Sequence, residues 1–300
     1  MQAAYFSKKI GSYAKVAYLS SVKNICSPYL LYDKRSYFWL IKAQRRFFLP
    51  PSNRILNMKI LVCICHVPDT TAKIKFNGSE LDKAGVQFVI GPYDDYALAR
   101  AVELKEKLGG SVTVLNVGEA DTEPTIRKAL AIGADDAVRV NAHPKDSLFV
   151  AKQIATHAKE VGYDLILMGR EASDYNGGQV HGMVAELLGL PCIVPCMTLE
   201  IEGSVAKMGR EIEGGKEYVE CNLPLVAGCQ EPIAEWKIPN MRGIMTARTK
   251  PLKVVEPTAD QAAVETVSYE LPPARSNCKM IDADDLDQLV KLLKEEAKVI

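Results

Sequence analysis

The strongest constraint on this chain is a rhythm that begins at Met58. Short continuous apolar runs alternate with longer stretches that are apolar on one side only. Ile60–Cys65 is uninterrupted by charge, as a strand covered on both faces requires. Gly91-Pro92 then opens a helix, with Asp94 and Asp95 at its positive end and Ala97, Ala101, Leu104 and Leu108 as its apolar stripe. Gly109-Gly110 stops it. The same alternation predicts strands at Ser111–Val117, Asp136–Val140 and Asp164–Gly169. Between and after them it predicts helices at Glu123–Ile132, at Ser147–Val161 and through Leu188. Strands separated by helices make a mainly parallel, Rossmann-like α/β sheet with helices on both faces.

Elsewhere the rhythm changes. Lys75 to Lys83 is polar and holds Asn77-Gly78, a pair suited to a two-residue turn, so a hairpin is expected there. From Thr198 to Cys229 short alternating segments flank Glu202-Gly203 and Glu213-Gly214-Gly215, which predicts antiparallel hairpins added to the sheet. After Lys253 the chain turns polar and Pro-punctuated, then forms an amphipathic helix over Asp282–Val299. Three regions follow. Residues 1–57 are a basic extension outside the fold, 58–255 the α/β domain, and 256–300 a C-terminal arm suited to packing on a partner.

The formal charge of zero hides an asymmetry. Residues 1–57 carry ten Lys and Arg against one acid, Asp33, and the remaining residues hold 27 basic and 36 acidic groups. A domain so acidic is unsuited to gripping nucleic acid, which needs clustered cations. The extension reads either as a mitochondrial-type presequence or as an upstream segment ahead of a start at Met58. The second reading is favoured, giving a cytoplasmic protein, with the mitochondrial matrix as the alternative. Eight scattered cysteines without a Cys-x-x-Cys pair, and only four histidines, match no zinc-site spacing and no secreted disulfide framework. No apolar run reaches the roughly 18 residues that a membrane span needs.

Ligands of open α/β sheets bind beyond the carboxyl ends of the strands. Four such ends stand out: Cys63 to Asp69, Val89 to Pro92, Asn116 to Gly118, and Met168-Gly169. The loop Gly169-Arg-Glu-Ala-Ser-Asp-Tyr-Asn-Gly-Gly-Gln179 is the strongest feature. It exceeds the roughly 2–6 residues usual for a strand-to-helix connection. Its Gly177-Gly178 precedes a helix N-terminus, where free N–H groups and the helix dipole attract phosphate. An adenine nucleotide is the expected ligand. There is no Walker lysine motif, no G-x-G-x-x-G after the first strand and no catalytic triad, so a binding or carrier role is expected. His157 is expected to be solvated, and His181 is a secondary candidate for a phosphate contact. Asp94-Asp95 and the Asp282–Asp287 cluster read as helix-start charges.

These residues resemble the β subunit of electron-transfer flavoproteins, including its FixA-like branch. The blocks that carry the resemblance run from Lys59-Ile-Leu-Val-Cys-Ile-Cys-His-Val-Pro-Asp69 through Gly91-Pro-Tyr-Asp-Asp-Tyr-Ala-Leu98 to Ile126-Arg-Lys-Ala-Leu-Ala-Ile-Gly-Ala-Asp135. The loop 169–182 continues it, with Arg210-Glu-Ile-Glu-Gly-Gly-Lys-Glu217, Leu223-Pro224, Glu231-Pro232 and Ile244-Met-Thr-Ala-Arg248 downstream. The resemblance implies a heterodimer whose α subunit holds most of a redox-active FAD. The β subunit then binds AMP or a second FAD and helps carry electrons between flavin-dependent dehydrogenases and an acceptor such as a quinone oxidoreductase. Family nucleotide contacts carry over to Cys63, Gly91, Val117, Gly169, Ala172, Asp174, Asn176, Gly177, Gly178, Gln179 and Val180. The segment Cys229 to Glu235, with Glu231 and Pro232, matches the docking loop for partner dehydrogenases, and Glu211 matches a position at the α/β junction.

The chain departs from the family in places. Gly91 stands where Asn is usual, and Val180 replaces a frequent Thr, removing a hydroxyl from the phosphate cradle. Cys229 replaces a larger aliphatic residue in the docking loop. A rival reading is a stand-alone adenine-nucleotide-binding regulatory module of the universal-stress type. Such a module needs neither the hairpins of 198–229 nor the C-terminal arm. An adenine-nucleotide hydrolase would need a Ser/Gly phosphate loop after the first strand, which His66-Val-Pro-Asp69 does not supply.

Overall fold

A computed structural model describes residues 57–77, 80–259, 261–271, 273 and 278–300. The extension 1–57 lies outside these residues except for Asn57. The chain builds a nine-stranded sheet in the order β11-β10-β9-β12-β8-β1-β6-β7-β13. Its central strands are β1 (Met58–Cys63), β6 (Gly110–Val117), β7 (Asp136–Val140) and β8 (Leu165–Gly169). Outside them lie β9 (Cys192–Glu202), β10 (Val205–Ile212), β11 (Gly215–Asn222), β12 (Leu225–Cys229) and β13 (Leu252–Val255). Two small antiparallel pairs stand apart: β2 (His66–Pro68) with β5 (Phe88–Ile90), and β3 (Phe76–Asn77) with β4 (Glu80–Leu81).

Period-two alternation on buried strands sorts the side chains onto two faces. Met58, Ile60 and Val62 of β1 pack toward α1 (Pro92–Leu108), α2 (Glu123–Ile132) and α5 (Met241–Ala247). Leu61 and Cys63 pack the other way, toward α3 (Ser147–Val161) and α4 (Val180–Leu188). Both faces are therefore covered, which is why these strands read as continuous apolar runs. The chain leaves β1 toward β6 and β7, then returns to place β8 on the opposite side of β1. Connections diverge at that point, the place beyond the strand ends where open α/β sheets bind ligands.

The region 198–229 forms the two expected antiparallel hairpins and departs from expectation in its last strand. The β9–β10 and β10–β11 pairs are antiparallel, but β12 runs parallel between β8 and β9. Its five residues are all buried, and a wholly apolar strand belongs in the sheet interior. The last helix is also shorter than its amphipathic pattern. It covers α6 (Leu286–Glu295), with Asp285 as N-cap accepting from the Gln288 N–H at 3.0 Å. Asp282 caps a preceding turn by accepting from the Asp284 N–H. No residue of α6 is buried.

The arm after β13 is tied to α3. Gln153 Nε2 donates to Thr258 Oγ1 at 2.7 Å, and the Thr258 N–H donates to Gln153 Oε1 at 2.8 Å. Asp146 both caps α3, accepting from the Phe149 N–H at 2.6 Å, and receives the N–H groups of Ala263 and Val264. Losing an N-cap carboxylate costs about 1 kcal/mol. Asp146→Ala is therefore expected to lower the melting temperature and to speed protease cleavage between residues 256 and 271. An unchanged melt with unchanged cleavage would show that Asp146 does not hold the arm.

Candidate functional site

The strand-end crevice is organised by a carboxylate that sequence reading assigns to the helix dipole alone. Asp94, in the first turn of α1, is 3% exposed. Its Oδ2 accepts the Cys65 N–H just beyond β1, and its Oδ1 accepts the Gly169 N–H at the end of β8, each at 2.8 Å. One side chain therefore joins two neighbouring strands and a helix N-terminus. The glycines on either side are small for this reason. A Cβ on Gly91 would stand 2.5 Å from Asp94 Oδ2, and one on Gly169 would stand 2.7 Å from Oδ1. Where Gly91 departs from the family's Asn, the position abuts this carboxylate.

The expected contact residues gather along the same edge. Cys63 ends β1, Val117 ends β6, and both are buried. At the end of β6, Asn116 donates from Nδ2 to the Ile64 carbonyl at 2.9 Å, tying β6 to the turn after β1. The loop after β8 closes on itself, with the Ala172 N–H donating to the Gly177 carbonyl at 3.1 Å. Asn176 turns it at φ 51°, a left-handed conformation that Asn tolerates. Asp174 Oδ1 accepts the Tyr175 N–H, and burial pushes the Asp174 carboxyl upward. A Cβ on Gly177 would meet nothing within 4 Å, so that surface is open to a ligand. A Cβ on Gly178 would lie 3.4 Å from the Arg170 carbonyl.

Helix α4 then begins at Val180 with Gln179 as N-cap, and no side chain caps it. Gln179 instead turns its Nε2 toward Ser147 Oγ at 3.2 Å. The first N–H groups of such a helix have no partner within it. In this loop and the first turn of α4, Arg170 Nε, Ser173 Oγ and His181 Nδ1 are buried polar atoms without a protein partner, as is Asn116 Oδ1 at the end of β6. His181 Nε2 donates to the Arg170 carbonyl at 2.9 Å, so its Nδ1 is the acceptor of a neutral ring. Burial lowers the His181 pKa and favours that neutral form. Each buried unsatisfied group costs about 1–3 kcal/mol.

The expected docking residues divide. Glu211, Glu231 and Pro232 are exposed, whereas Cys229 is fully buried at the end of β12. The Cys229 carbonyl accepts the Arg170 N–H at 3.0 Å, so this residue serves the sheet through its backbone. Tyr96 Oη donates to Glu231 Oε2 at 3.2 Å. Arg170 of the loop and Gln230 of the docking segment, which the sequence does not single out within those ranges, meet, with Arg170 Nη1 donating to Gln230 Oε1 at 2.7 Å. Of the remaining candidates, His157 is not simply solvated. Its Nε2 pairs with Tyr163 Oη at 3.0 Å, because Tyr163 folds back beside the last turns of α3. Cys63 and Cys65 are held as thiols by burial and by the nearby Asp94. No group of three or more metal-ligating side chains occurs among the described residues. No described helix is long and apolar enough to cross a membrane. A cleft of about 450 Å³ opens on the excursion between β1 and α1, lined by Asp69, Thr71, Lys73, Lys75, Asp82 and Gln87. It includes no residue of the nine-stranded sheet.

The family model for the electron transfer flavoprotein domain matches residues 80–260. A protein of Bacillus subtilis named electron transfer flavoprotein subunit beta is 35% identical over 257 residues, covering 81% of this chain and all of that protein. A protein of the same name from Syntrophomonas wolfei is 34% identical, covering 81% of this chain and 99% of its own length. One from Bradyrhizobium diazoefficiens is 33% identical, with 81% of this chain and 100% of that protein covered.

Burial dominates Asp94 and pushes its carboxyl up to about 7, against the Cys65 and Gly169 N–H groups that draw it down. The folded-state value lies above the unfolded one, so the folded chain holds this proton more tightly. The stability contribution of Asp94 is complete at low pH and is lost as pH rises from about 4 to about 7. Asp94→Asn leaves one of the two N–H groups without an acceptor, at a cost of about 1–3 kcal/mol. The melting-temperature gap between the native chain and Asp94→Asn is expected to be widest near pH 4–5 and to narrow toward pH 8. A gap that widens with pH would contradict the assignment.

Proposed function

The chain belongs to the electron transfer flavoprotein β-subunit family, and we propose that it binds an adenine nucleotide across the carboxyl ends of β1, β6 and β8. In this reading it pairs with an α subunit, and the heterodimer carries electrons from flavin-dependent dehydrogenases to an acceptor. The observation that carries the reading is the uncapped N-terminus of α4 beside partnerless Ser173 Oγ, Arg170 Nε and His181 Nδ1. A phosphate there would accept from the first N–H groups of α4 and from Ser173 and Arg170. His181 Nδ1, an acceptor, would take a ligand hydroxyl or a bound water. The residues present therefore fit a nucleotide whose phosphate faces α4 and whose adenosine lies along Cys63, Gly91 and Val117.

FAD, bound mostly by the α subunit, supplies the redox chemistry of such a heterodimer. The residues of this chain hold and orient. Asp94 fixes the spacing of the β1 and β8 ends, and the loop 170–179 presents backbone to the ligand. The apolar side of α6, where Leu286 and Val290 are exposed, suits packing of the arm on the α subunit. The exposed Glu211, Glu231 and Pro232 suit contact with the α subunit and with dehydrogenases.

AMP and FAD both offer an adenosine and a phosphate to this site. The test is the nucleotide content of the full chain coexpressed with its α subunit, by acid extraction and chromatography. One FAD and one AMP per heterodimer are expected if the site is purely structural, and two FAD with no AMP if it is a second redox centre. A folded heterodimer with one FAD and no second nucleotide would overturn the assignment.

A further inference from the structure

The arm after β13 stays close to the carboxyl edge of the sheet. It follows α3 toward that helix's N-terminus, from Thr258 beside Gln153 to Ala263 and Val264, whose N–H groups both donate to Asp146. At the same helix start, Ser147 Oγ receives Gln179, the N-cap residue of α4. Further along, Tyr269 meets two other segments. Its ring stacks on Phe76 of β3, with centres 4.6 Å apart and planes within 7° of each other. It also faces Tyr175 of the loop after β8, with centres 6.2 Å apart and planes 23° apart. Tyr269 Oη donates to Tyr175 Oη at 3.2 Å.

One ring of the arm therefore joins the excursion after β1 to the loop after β8. These are the connections that leave the two neighbouring strands clasped by Asp94. The arm runs from the start of α3 to the loop before α4, and the Gln179–Ser147 contact sets this course beside the uncapped first turn of α4. Along the way it is weakly held. The described residues 261–268 are all exposed and form no helix or strand. A segment with so few buried contacts opens at a small free-energy cost. Its hold on the strand-end edge then depends on Asp146 at one end and on the Tyr269 ring at the other.

We propose that the arm from Asp146 to Tyr269 is a strap across the entrance to the strand-end site. The Phe76–Tyr269–Tyr175 contact is its latch, and a nucleotide enters or leaves only when the latch is open. The proposal rests on the nucleotide reading above. A gate that makes no contact with the ligand scales entry and release by the same factor, the fraction of time it is open. It has no preference between the bound and the empty site, so it leaves the dissociation constant unchanged.

The test uses the full chain with its α subunit and radiolabelled AMP as probe. Rates of AMP entry and release are measured for the native chain, Tyr269→Ala, Phe76→Ala, their combination, and Tyr269→Phe. Protease cleavage between residues 256 and 271 is followed in the same samples. Each alanine variant is expected to speed entry and release together by about 3-fold or more, the scale of one stacked aromatic pair. The dissociation constant should change by less than about 2-fold, and cleavage should become faster. The double variant should be no faster than either single one, because the two rings form one contact. Tyr269→Phe keeps the stack and should stay within about 2-fold of the native rates. AMP that is bound but exchanges at native rates in both alanine variants would overturn the gate. Faster release with unchanged entry would also overturn it, making Tyr269 a wall of the ligand site. One FAD and no second nucleotide in the extracted heterodimer would instead overturn the nucleotide reading and the gate with it. If the extract shows a second FAD, the same rates are followed with FAD as probe.

Discussion

The architecture of the crevice depends on one buried carboxylate. Asp94 receives the N–H groups of Cys65 and Gly169 and so joins two parallel strands at the ends where their hydrogen-bond ladder stops. Backbone groups at strand ends lack ladder partners, and water normally satisfies them. Here a side chain does so from a helix N-terminus, whose dipole offsets part of the cost of burying charge. Gly91 and Gly169 leave the room that this arrangement uses in this chain, since a Cβ would stand 2.5 Å from Asp94 Oδ2 at 91 and 2.7 Å from Oδ1 at 169. Two glycines that read in the sequence as a helix start and a strand end also leave space for a third residue.

With the strand ends fixed, the rest of the site follows from connection geometry. β8 lies beside β1, opposite to β6, so the loops after β6 and β8 diverge and leave an edge lined with backbone. The loop after β8 is long enough to fold into its own small bridge. It delivers Gly178 and Gln179 to the start of α4 with the first turn uncapped. Buried polar groups are normally paired, and the proposed site rests on the partnerless atoms of residues 170, 173 and 181.

Much of this was legible in the sequence. The β1, β6, β7 and β8 strands and the first four helices follow from apolar runs, Pro at helix starts and Gly at helix ends, because those signals are local. The loop 169–179 was legible by its length and its paired glycines. What was not legible depends on neighbours distant in sequence. Asp94 sits beside Asp95 in a first helical turn, and both look alike until the fold buries one against Gly169, 75 residues away. β12 follows two hairpins and reads as part of them, and only sheet order shows it running parallel beside β8. His157 finds Tyr163 only because the chain reverses at Gly162. Gln230 is one polar residue in a loop, and its two hydrogen bonds appear only when Arg170 and Glu211 arrive on either side of it. The α6 helix falls short of its pattern because Asp285 caps it late and none of its residues is buried by the described part of the chain.

The central claim is that the ligand occupies the strand ends clasped by Asp94, with its phosphate on α4. Hydrogen–deuterium exchange on the heterodimer, with the β-site nucleotide removed and then restored, addresses this most directly. The account predicts that restoring the nucleotide slows exchange in residues 169–182, strongest at Gly178 to His181, and to a lesser degree at 63–65 and 116–118. Slowing confined to the cleft at residues 69–87, with 169–182 unchanged, would contradict it.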